Sequence, residues 1–280
     1  DVADVMRDHY EGAPMDMTQD IGAGGNALPY RWRPMGFTYD GKEYTNERAI
    51  ATQQTAFWFV GQSRGNYPDV LGGIIWFGTD DAATSYVTPI YTNSEIVPEC
   101  FREGNGDMLT YSSTSSFWLN NRVANACYKM YNYMAPFVRE HIDRFENSQI
   151  SEGVPQTDAK ALELYNDIAE KEMKKQSKKN PGYDPMTDTG DAFLQVKQYL
   201  TSYSVSTADA IFSAWKKMEE TLLVKFIDGN VKAQNEDGTF VHSPESESIP
   251  DGLTQPGYTE YWKEAVAHFH GDVVKKVEAE

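Results

Sequence analysis

The sequence predicts an α+β fold that is rich in helix and contains a few antiparallel strands. Three short aromatic and β-branched runs lie between Thr52 and Tyr91 and are separated by turn residues, as in a small sheet. From Ser115 onward the apolar residues recur with the period of amphipathic helices. Near-continuous apolar runs are typical of strands that are covered on both faces, so further layers are expected on each side of this sheet.

The chain is expected to divide into a sheet-forming portion, residues 1–114, and a helical portion, residues 115–280. The helical portion packs on the first within one domain or forms a helical extension. A helix is predicted over about residues 1–11, and a Gly- and Pro-rich connector with Gly24 and Gly25 follows it as a loop. The three strands are expected within the segments ATQQTAFWFVGQSR, GGIIWFGTD and TSYVTPIY.

Four helical segments are predicted in the second portion. The first starts near Ser115 and is expected to kink at Pro136, because proline removes a backbone hydrogen bond. The second covers about residues 157–178. The third is expected to start at a capping box formed by Ser206 and Asp209 and to end at Gly229, and the last runs from about residue 259 to the end.

Two further structural expectations concern the β content. An Asp-Gly turn at residues 237–238 predicts a small hairpin before the last helix. Helix is expected to exceed strand about twofold, because the helical periodicity covers most of the second half of the chain.

Composition excludes several classes of partner. Acidic residues outnumber basic ones by 42 to 25, which gives a formal charge of −17 at pH 7. Such a chain repels both the phosphate backbone of nucleic acids and anionic membrane surfaces, so neither is expected as a partner. No apolar run in the sequence approaches the roughly 20 residues that a membrane-spanning helix needs.

The sequence leaves the compartment open, cytoplasmic or secreted. It starts at Asp1 inside a predicted helix rather than at methionine, so the native N-terminus is expected to be missing. Cys100 and Cys127 fit a disulfide, two buried thiols or one reactive thiol. Buried thiols are favoured, because free cysteine is among the most buried residue types.

Local motifs identify no active site, and no cofactor or metal is expected. His268 and His270 are the closest pair of histidines, but on a helix they point about 200° apart and cannot share a metal without help. The G-x-S-x-G, H-E-x-x-H, C-x-x-C, Walker and G-x-G-x-x-G signatures are absent. A Ser-His-Asp triad assembled from distant positions has no positive support in the sequence.

The order of five segments along the chain indicates a family. They span nearly the whole sequence and read DVMRDHYEGAPMDMT, YRWRPMGF, ERAIATQQTAFWFVGQSRGNYPDVLGGIIWFGTDDAATSYVTPIY, SSFWLNNRVANACYKMYNYM and LTSYSVSTADAIFSAWKKMEETLLVKFIDG. In this order they resemble the C69 peptidases, which are dipeptidases of the N-terminal nucleophile (Ntn) hydrolase superfamily.

The resemblance implies a four-layer αββα sandwich and a cysteine nucleophile at the processed N-terminus, whose own amino group serves as general base. The matching segments correspond to the latter part of the family's pattern, and Asp1 cannot perform thiol chemistry. The resemblance thus implies the C-terminal portion of a dipeptidase that hydrolyses small peptides. Its catalytic cysteine would lie upstream of Asp1 in a missing N-terminal half, and this chain alone would be inactive.

Five polar residues are candidates for binding a peptide substrate. Thr52 and Gln54 open the first strand, and Asn120 and Asn121 lie on a polar face at the start of the first long helix. The guanidinium of Arg64 could clamp the terminal carboxylate of a dipeptide in bidentate fashion. Core hydrogen bonds, loop capping and ion pairs are the structural alternatives for these residues.

A second function class stays open. The chain carries 17 Tyr and 6 Trp, and an aromatic-rich, non-catalytic α/β module could bind peptide or carbohydrate or mediate oligomerisation. A homo-oligomer is a possible state of the protein. Aromatic residues in such numbers are usually core and interface residues.

Overall fold

The computed structural model describes residues 2–274. The chain forms two compact units. Of the described residues, the first contains 2–53, 122–139 and 218–274, and the second contains 54–121 and 140–217. Helix accounts for 46% of the chain and strand for 14%, which confirms the α+β class and exceeds the expected twofold ratio. The division after residue 114 stays a prediction.

Six α-helices lie in the described residues. They are α1 (Val2–Met6), α2 (Ser116–Cys127), α3 (Tyr131–Ser148), α4 (Val154–Gln176), α5 (Leu194–Lys225) and α6 (Glu260–Val274). A π-helical turn, Gln149–Gly153, joins α3 to α4. None of the helices in the described part of the chain is both long and apolar enough to span a membrane.

Seven strands form three antiparallel sheets in the same residues. They are β1 (Gly36–Tyr39) with β2 (Lys42–Thr45), β3 (Phe57–Ser63) with β4 (Gly73–Thr79) and β5 (Thr88–Tyr91), and β6 (His242–Ser243) with β7 (Ser246–Pro250). The sheet β3-β4-β5 confirms the three predicted strands. The hairpin β1–β2 was not predicted, although Asp40 and Gly41 in its turn, with φ of 48° and 70°, are typical turn residues.

The predicted helix boundaries were wrong at three places. The N-terminal helix ends at Met6 instead of continuing to about residue 11. The first long helix is interrupted at residues 128–130, and Pro136 lies inside α3. The third helix starts at Leu194, and Ser206 lies in its interior, where its hydroxyl donates to the carbonyl of Tyr203. Serine side chains can bond a backbone carbonyl within a helix, so this pair did not mark a cap.

The expectations for the C-terminal region are largely confirmed. Gln234 forms a β-bridge with Phe240 across the Asp-Gly turn, and Gly238 has a φ of 85°. The last helix starts at Glu260, next to the predicted start. Its predicted continuation over residues 275–280 lies outside the described residues.

The core of the second unit covers one face of the sheet β3-β4-β5. Ile74 and Tyr91 of this face pack with apolar residues of α4 and α5 and with Phe193. Trp58 is also buried on this face and donates its indole N–H to Ser85 Oγ at 2.9 Å. Because Trp58 pairs with Gly78 and Ile74 with Tyr91 across the strands, their side chains share one face.

The opposite face of this sheet is apolar and partly exposed, so the prediction that both faces are covered was wrong for β3. Phe57 is 60% exposed and Phe59 is 54% exposed, whereas Trp58 between them is buried. Phe59 lies directly opposite Phe77 of β4, and Ile75 lies opposite Ile90 of β5 on the same face. An apolar run marks both faces as hydrophobic, but it does not determine whether the same chain covers them.

The first unit has a core of aromatic rings around His9. The His9 ring is buried; its Nδ1 lies 2.9 Å from a carboxylate oxygen of Glu11 and its Nε2 lies 3.0 Å from the hydroxyl of Tyr30. Burial would raise the pKa of Glu11, but the hydrogen bonds from His9 and from the backbone lower this pKa to about 2. His9 is therefore held by partners on both ring nitrogens and acts as a structural residue.

Candidate functional site

The candidate site is a buried polar cluster at the end of β4, next to the start of α2. Thr79 is the last residue of β4, and its hydroxyl donates to Ser116 Oγ at 3.1 Å. The amide nitrogen of Asn120 donates to the carbonyl oxygen of Thr79 at 3.2 Å and reaches its hydroxyl at 3.0 Å. These contacts fix the first turns of α2 against the end of the strand.

Asp80 follows Thr79 in a conformation that few residues adopt. Its φ is 66°, in the left-handed region that aspartate and asparagine tolerate better than most non-glycine residues. This turn directs its carboxyl group into the protein, where the residue is 1% exposed. Asn121 Nδ2 donates to Asp80 Oδ1 at 3.1 Å.

Two oxygens of the cluster have no hydrogen-bond partner among residues 2–274. They are Asp80 Oδ2 and Asn120 Oδ1, and both are buried. Buried acceptors in folded proteins are nearly always paired, and leaving one unpaired costs roughly 1–3 kcal/mol. The cluster therefore has two buried acceptors that the described residues leave unsatisfied.

The carboxyl group of Asp80 can exchange a proton near neutral pH. Burial raises its pKa to about 7, the hydrogen bond from Asn121 opposes this rise, and the negative charge of Asp81 adds to it. Asp81 itself accepts from the backbone N–H of Ala83 at 3.0 Å and so caps the short helical turn that follows. A carboxyl group with a pKa near 7 is a feature of binding and catalytic sites, because it changes charge at working pH.

Thr79 also lines a cavity of about 530 Å³ on the exposed face of the sheet. Four phenylalanine rings line this cavity, and we refer to it as the aromatic cavity. The rings belong to Phe57 of β3, Phe77 of β4, Phe101 and Phe117. The loop of residues 102–107 and Ser115 complete its wall. The cavity thus has an apolar interior and a polar edge, and it adjoins the cluster at Thr79.

Cys100 lines the aromatic cavity, but its thiol is not prepared for nucleophilic attack. It is a free, buried thiol, as expected from the sequence, and the same holds for Cys127. Burial raises the pKa of Cys100 to about 12, and the charge of Asp209 acts in the same direction. Since the thiolate is the nucleophile, Cys100 stays protonated and unreactive at neutral pH.

The structure brings two of the five predicted substrate-binding residues together, Asn120 and Asn121. Arg64 instead pairs with the buried carboxylate of Asp158 and donates to the carbonyl of Leu71. Its guanidinium also stacks on the ring of Tyr67 at 4.3 Å. These are the contacts of a structural ion pair, and binding of a substrate carboxylate by Arg64 stays a prediction.

The other two candidates, Thr52 and Gln54, lie before β3. The hydroxyl of Thr52 donates to Gln53 Oε1 at 3.1 Å, and Thr52 lines a cavity of only about 10 Å³, which is too small for a ligand. Gln54 is half-buried. Their roles in substrate binding stay predictions.

Sequence reasoning missed Asp80 and the aromatic cavity. The signal for Asp80 was the pair of aspartates directly after an apolar strand, because aspartate is typical of turns and tolerates a positive φ. The cavity had no local signal, because Phe57 and Phe117 are sixty residues apart. Among the described residues, no group of three or more His, Cys, Asp or Glu side chains is arranged to hold a metal ion.

The family model described as Peptidase family C69 matches residues 1–144, which is just over half of the chain and includes the whole polar cluster and the aromatic cavity. No curated protein matches the sequence.

Proposed function

We propose that this chain, which belongs to peptidase family C69, is the C-terminal portion of a cysteine-nucleophile dipeptidase. Family membership identifies peptide-bond hydrolysis as the chemistry of the protein. In the proposed enzyme, a cysteine at a processed N-terminus outside these 280 residues attacks the scissile carbonyl and forms a thioester, which water then hydrolyses. Small peptides are the proposed substrates.

The observation that carries this proposal is the buried polar cluster beside the aromatic cavity. A peptide presents N–H groups and, at its start, an ammonium group. Asp80 Oδ2 and Asn120 Oδ1 are acceptors of the matching chemistry, and both lack partners in the described residues. An ammonium group near Asp80 would favour its ionised form, since an opposite charge lowers the pKa of a carboxyl group.

The high pKa of Cys100 supports a nucleophile from another segment. Catalysis by this thiol would require ionisation in a buried site whose neighbours, Glu99 and Asp209, are acidic. N-terminal nucleophile chemistry needs an α-amino group next to the thiol, and an internal cysteine has none. We therefore assign the nucleophile to a segment outside these 280 residues.

The exposed face of the sheet supports an αββα sandwich. Phe59 and Ile75 form an exposed apolar surface outside the aromatic cavity, and a second sheet would cover it in a layered fold. β3 is an edge strand, so its free backbone groups could also pair with a further strand. In this proposal the missing half supplies the second sheet, and the aromatic cavity opens at the rim of the interface.

The test starts from the full-length protein. Intact-mass spectrometry and N-terminal sequencing would establish whether a polypeptide that begins with cysteine accompanies this chain. We expect the full-length protein to hydrolyse dipeptides, alkylation of that cysteine to abolish hydrolysis, and the 280-residue chain alone to be inactive. Hydrolysis by the homogeneous 280-residue chain would overturn the assignment of the nucleophile, and an inactive full-length protein would overturn the peptidase proposal.

A pair of variants tests the role of the polar cluster. Asn121→Ala removes the hydrogen bond that holds Asp80, and we expect KM to rise by roughly three- to tenfold, as the loss of one such bond implies. Asn125→Ala, an exposed position one helical turn along α2, is the matched control and should leave KM unchanged. Equal KM values for both variants would show that the polar cluster does not contribute to substrate binding.

A further inference from the structure

We propose that the aromatic cavity is a subsite for an aromatic side chain of the peptide substrate, a specificity that rests on the proposed function. The cavity of about 530 Å³ lies within the range of roughly 300–1,000 Å³ that is typical of small-ligand sites. Thr79 lines this cavity and its hydroxyl contacts the amide nitrogen of Asn120, so the cavity adjoins the polar cluster.

The rings in the cavity are arranged to receive another ring. Phe57 and Phe77 are stacked at 6.0 Å with an angle of 24° between their planes, and Phe77 meets Phe101 edge to face at 5.1 Å and 84°. Stacked and edge-to-face contacts are the two geometries that aromatic pairs prefer. Phe57 keeps 60% of its surface exposed, so a ligand ring has an uncovered aromatic surface to bind.

The charges at the edge of the cavity favour a neutral side chain over an acidic one. Arg102 lines the cavity, but its guanidinium is bound to Glu99 at 2.9 Å. Glu103 and Asp107 also line it, and they leave the edge with a net negative charge. An aspartate or glutamate side chain of a substrate would therefore be repelled, whereas a benzyl group would not.

The loop that forms the wall of the cavity is already ordered without a ligand. Asn105 donates to the carbonyl of Glu99 at 2.7 Å and accepts from Ser112 Oγ at 2.6 Å. Asp107 and Thr110 exchange backbone hydrogen bonds at 3.0 and 3.3 Å. A wall that is already ordered loses little conformational entropy on binding, so the burial of a ligand ring translates more fully into affinity.

The subsite can be tested by binding of two dipeptides, Ala-Phe and Ala-Ala, to the 280-residue chain by isothermal titration calorimetry. Full burial of a phenyl ring predicts that Ala-Phe binds about 10- to 100-fold more tightly than Ala-Ala. Phe57→Ala should remove most of this difference. The exposed ring of Phe37, which stacks on Tyr44 in the β1–β2 hairpin, provides the matched control, and Phe37→Ala should keep the difference.

Equal binding of the two dipeptides, no measurable binding of either, or an unchanged preference in a folded Phe57→Ala variant would overturn the subsite. Circular dichroism and the thermal midpoint would show that the variant is folded. Kinetics of the full-length protein separate this inference from the proposed function. Hydrolysis with equal kcat/KM for both dipeptides would overturn the subsite alone, whereas a binding preference without any hydrolysis would overturn the peptidase function alone.

Discussion

Replacing Asp80 by asparagine should stabilise the protein at neutral and alkaline pH and have little effect in acid. Asparagine has the shape of the protonated aspartate, tolerates the φ of 66° and cannot ionise. It can also keep the hydrogen bond with Asn121, because its side-chain oxygen accepts as Asp80 Oδ1 does. The substitution therefore removes the charge and little else.

The magnitude follows from the pKa of Asp80. Burial raises this pKa from 3.8 to about 7 in the folded protein, and the difference is 3.2. At about 1.36 kcal/mol for each pKa unit, ionisation of buried Asp80 costs the folded state about 4 kcal/mol. The pH dependence is that of a carboxyl group whose pKa is raised in the folded state. Below pH 3.8 Asp80 is protonated in both the folded and the unfolded state, and the cost is absent. The cost grows between pH 3.8 and 7 and is complete above pH 7.

Urea unfolding of wild type and the Asp80→Asn variant at several pH values measures this cost. We expect the variant to be more stable by about 0.6 kcal/mol at pH 4 and by about 4 kcal/mol at pH 8. Tryptophan fluorescence is a suitable signal, because four of the six tryptophans (Trp58, Trp76, Trp118 and Trp215) lie in the same unit as Asp80. The other carboxylates titrate alike in both proteins, so their contributions cancel when the two free energies of unfolding are subtracted.

Asp40→Asn is the matched control, because Asp40 also has a positive φ but is exposed in the β1–β2 turn. Its effect on stability should be small at every pH. A stability difference for Asp80→Asn that does not change between pH 4 and pH 8 would refute the reasoning. A variant that is less stable than wild type at pH 8 would refute it as well.

Three further predictions concern the cavity, Arg64 and Cys100. Gly106→Ala should cost about 1–3 kcal/mol of stability and weaken Ala-Phe binding, because Gly106 has a φ of 84° and its Cβ would lie 3.1 Å from neighbouring atoms; Gly65→Ala, with open space around it, should be neutral by the same urea assay. Arg64→Lys should lower the thermal midpoint without changing KM in the full-length enzyme, since lysine cannot reproduce the guanidinium's contacts with Asp158 and Leu71; a raised KM with an unchanged midpoint would instead favour the carboxylate clamp. Cys100 should react with iodoacetamide at pH 7.5 only after denaturation, and fast labelling of the native protein by mass spectrometry would contradict its raised pKa.

The elements that could be predicted from the sequence are those whose signal is local. The strands around Trp58 and Ile74 were identified because β-branched and aromatic runs between turn residues are a property of a few neighbouring positions. The start of α5 was not identified from the sequence, because Ser206 and Asp209 have the same local pattern inside a helix as at its N-terminal cap. Packing of residues 194–205 against the second unit's core extends the helix beyond that pattern.

The residues of the candidate site also fall into those that the sequence predicted and those that it did not. Asn120 and Asn121 were predicted because they lie on a polar face at the start of the first long helix, which is a feature of the sequence itself. Asp80 could not be assigned a raised pKa, because this property depends on burial and on the absence of a nearby cation, and Arg64, the nearest arginine in sequence, is committed to Asp158. Charge partners of this kind are set by tertiary contacts between distant segments.

The two unpaired acceptors of the cluster and the exposed face of the sheet can both be explained by the proposed function. Unpaired buried oxygens at Asp80 and Asn120 and the uncovered side chains of Phe59 and Ile75 each cost free energy in the isolated chain. In the proposed enzyme, a second sheet would relieve the second cost and a bound peptide would relieve the first. If both are relieved in the full-length enzyme, Asp80→Asn should stabilise that enzyme less in the presence of a dipeptide than in its absence, because a substrate ammonium group offsets the ionisation cost only when Asp80 carries its charge. Thermal midpoints of the full-length enzyme and its Asp80→Asn variant with and without a non-hydrolysable dipeptide at pH 8 would measure this, and equal ligand-induced increases in both would show that the ammonium group does not bind at Asp80.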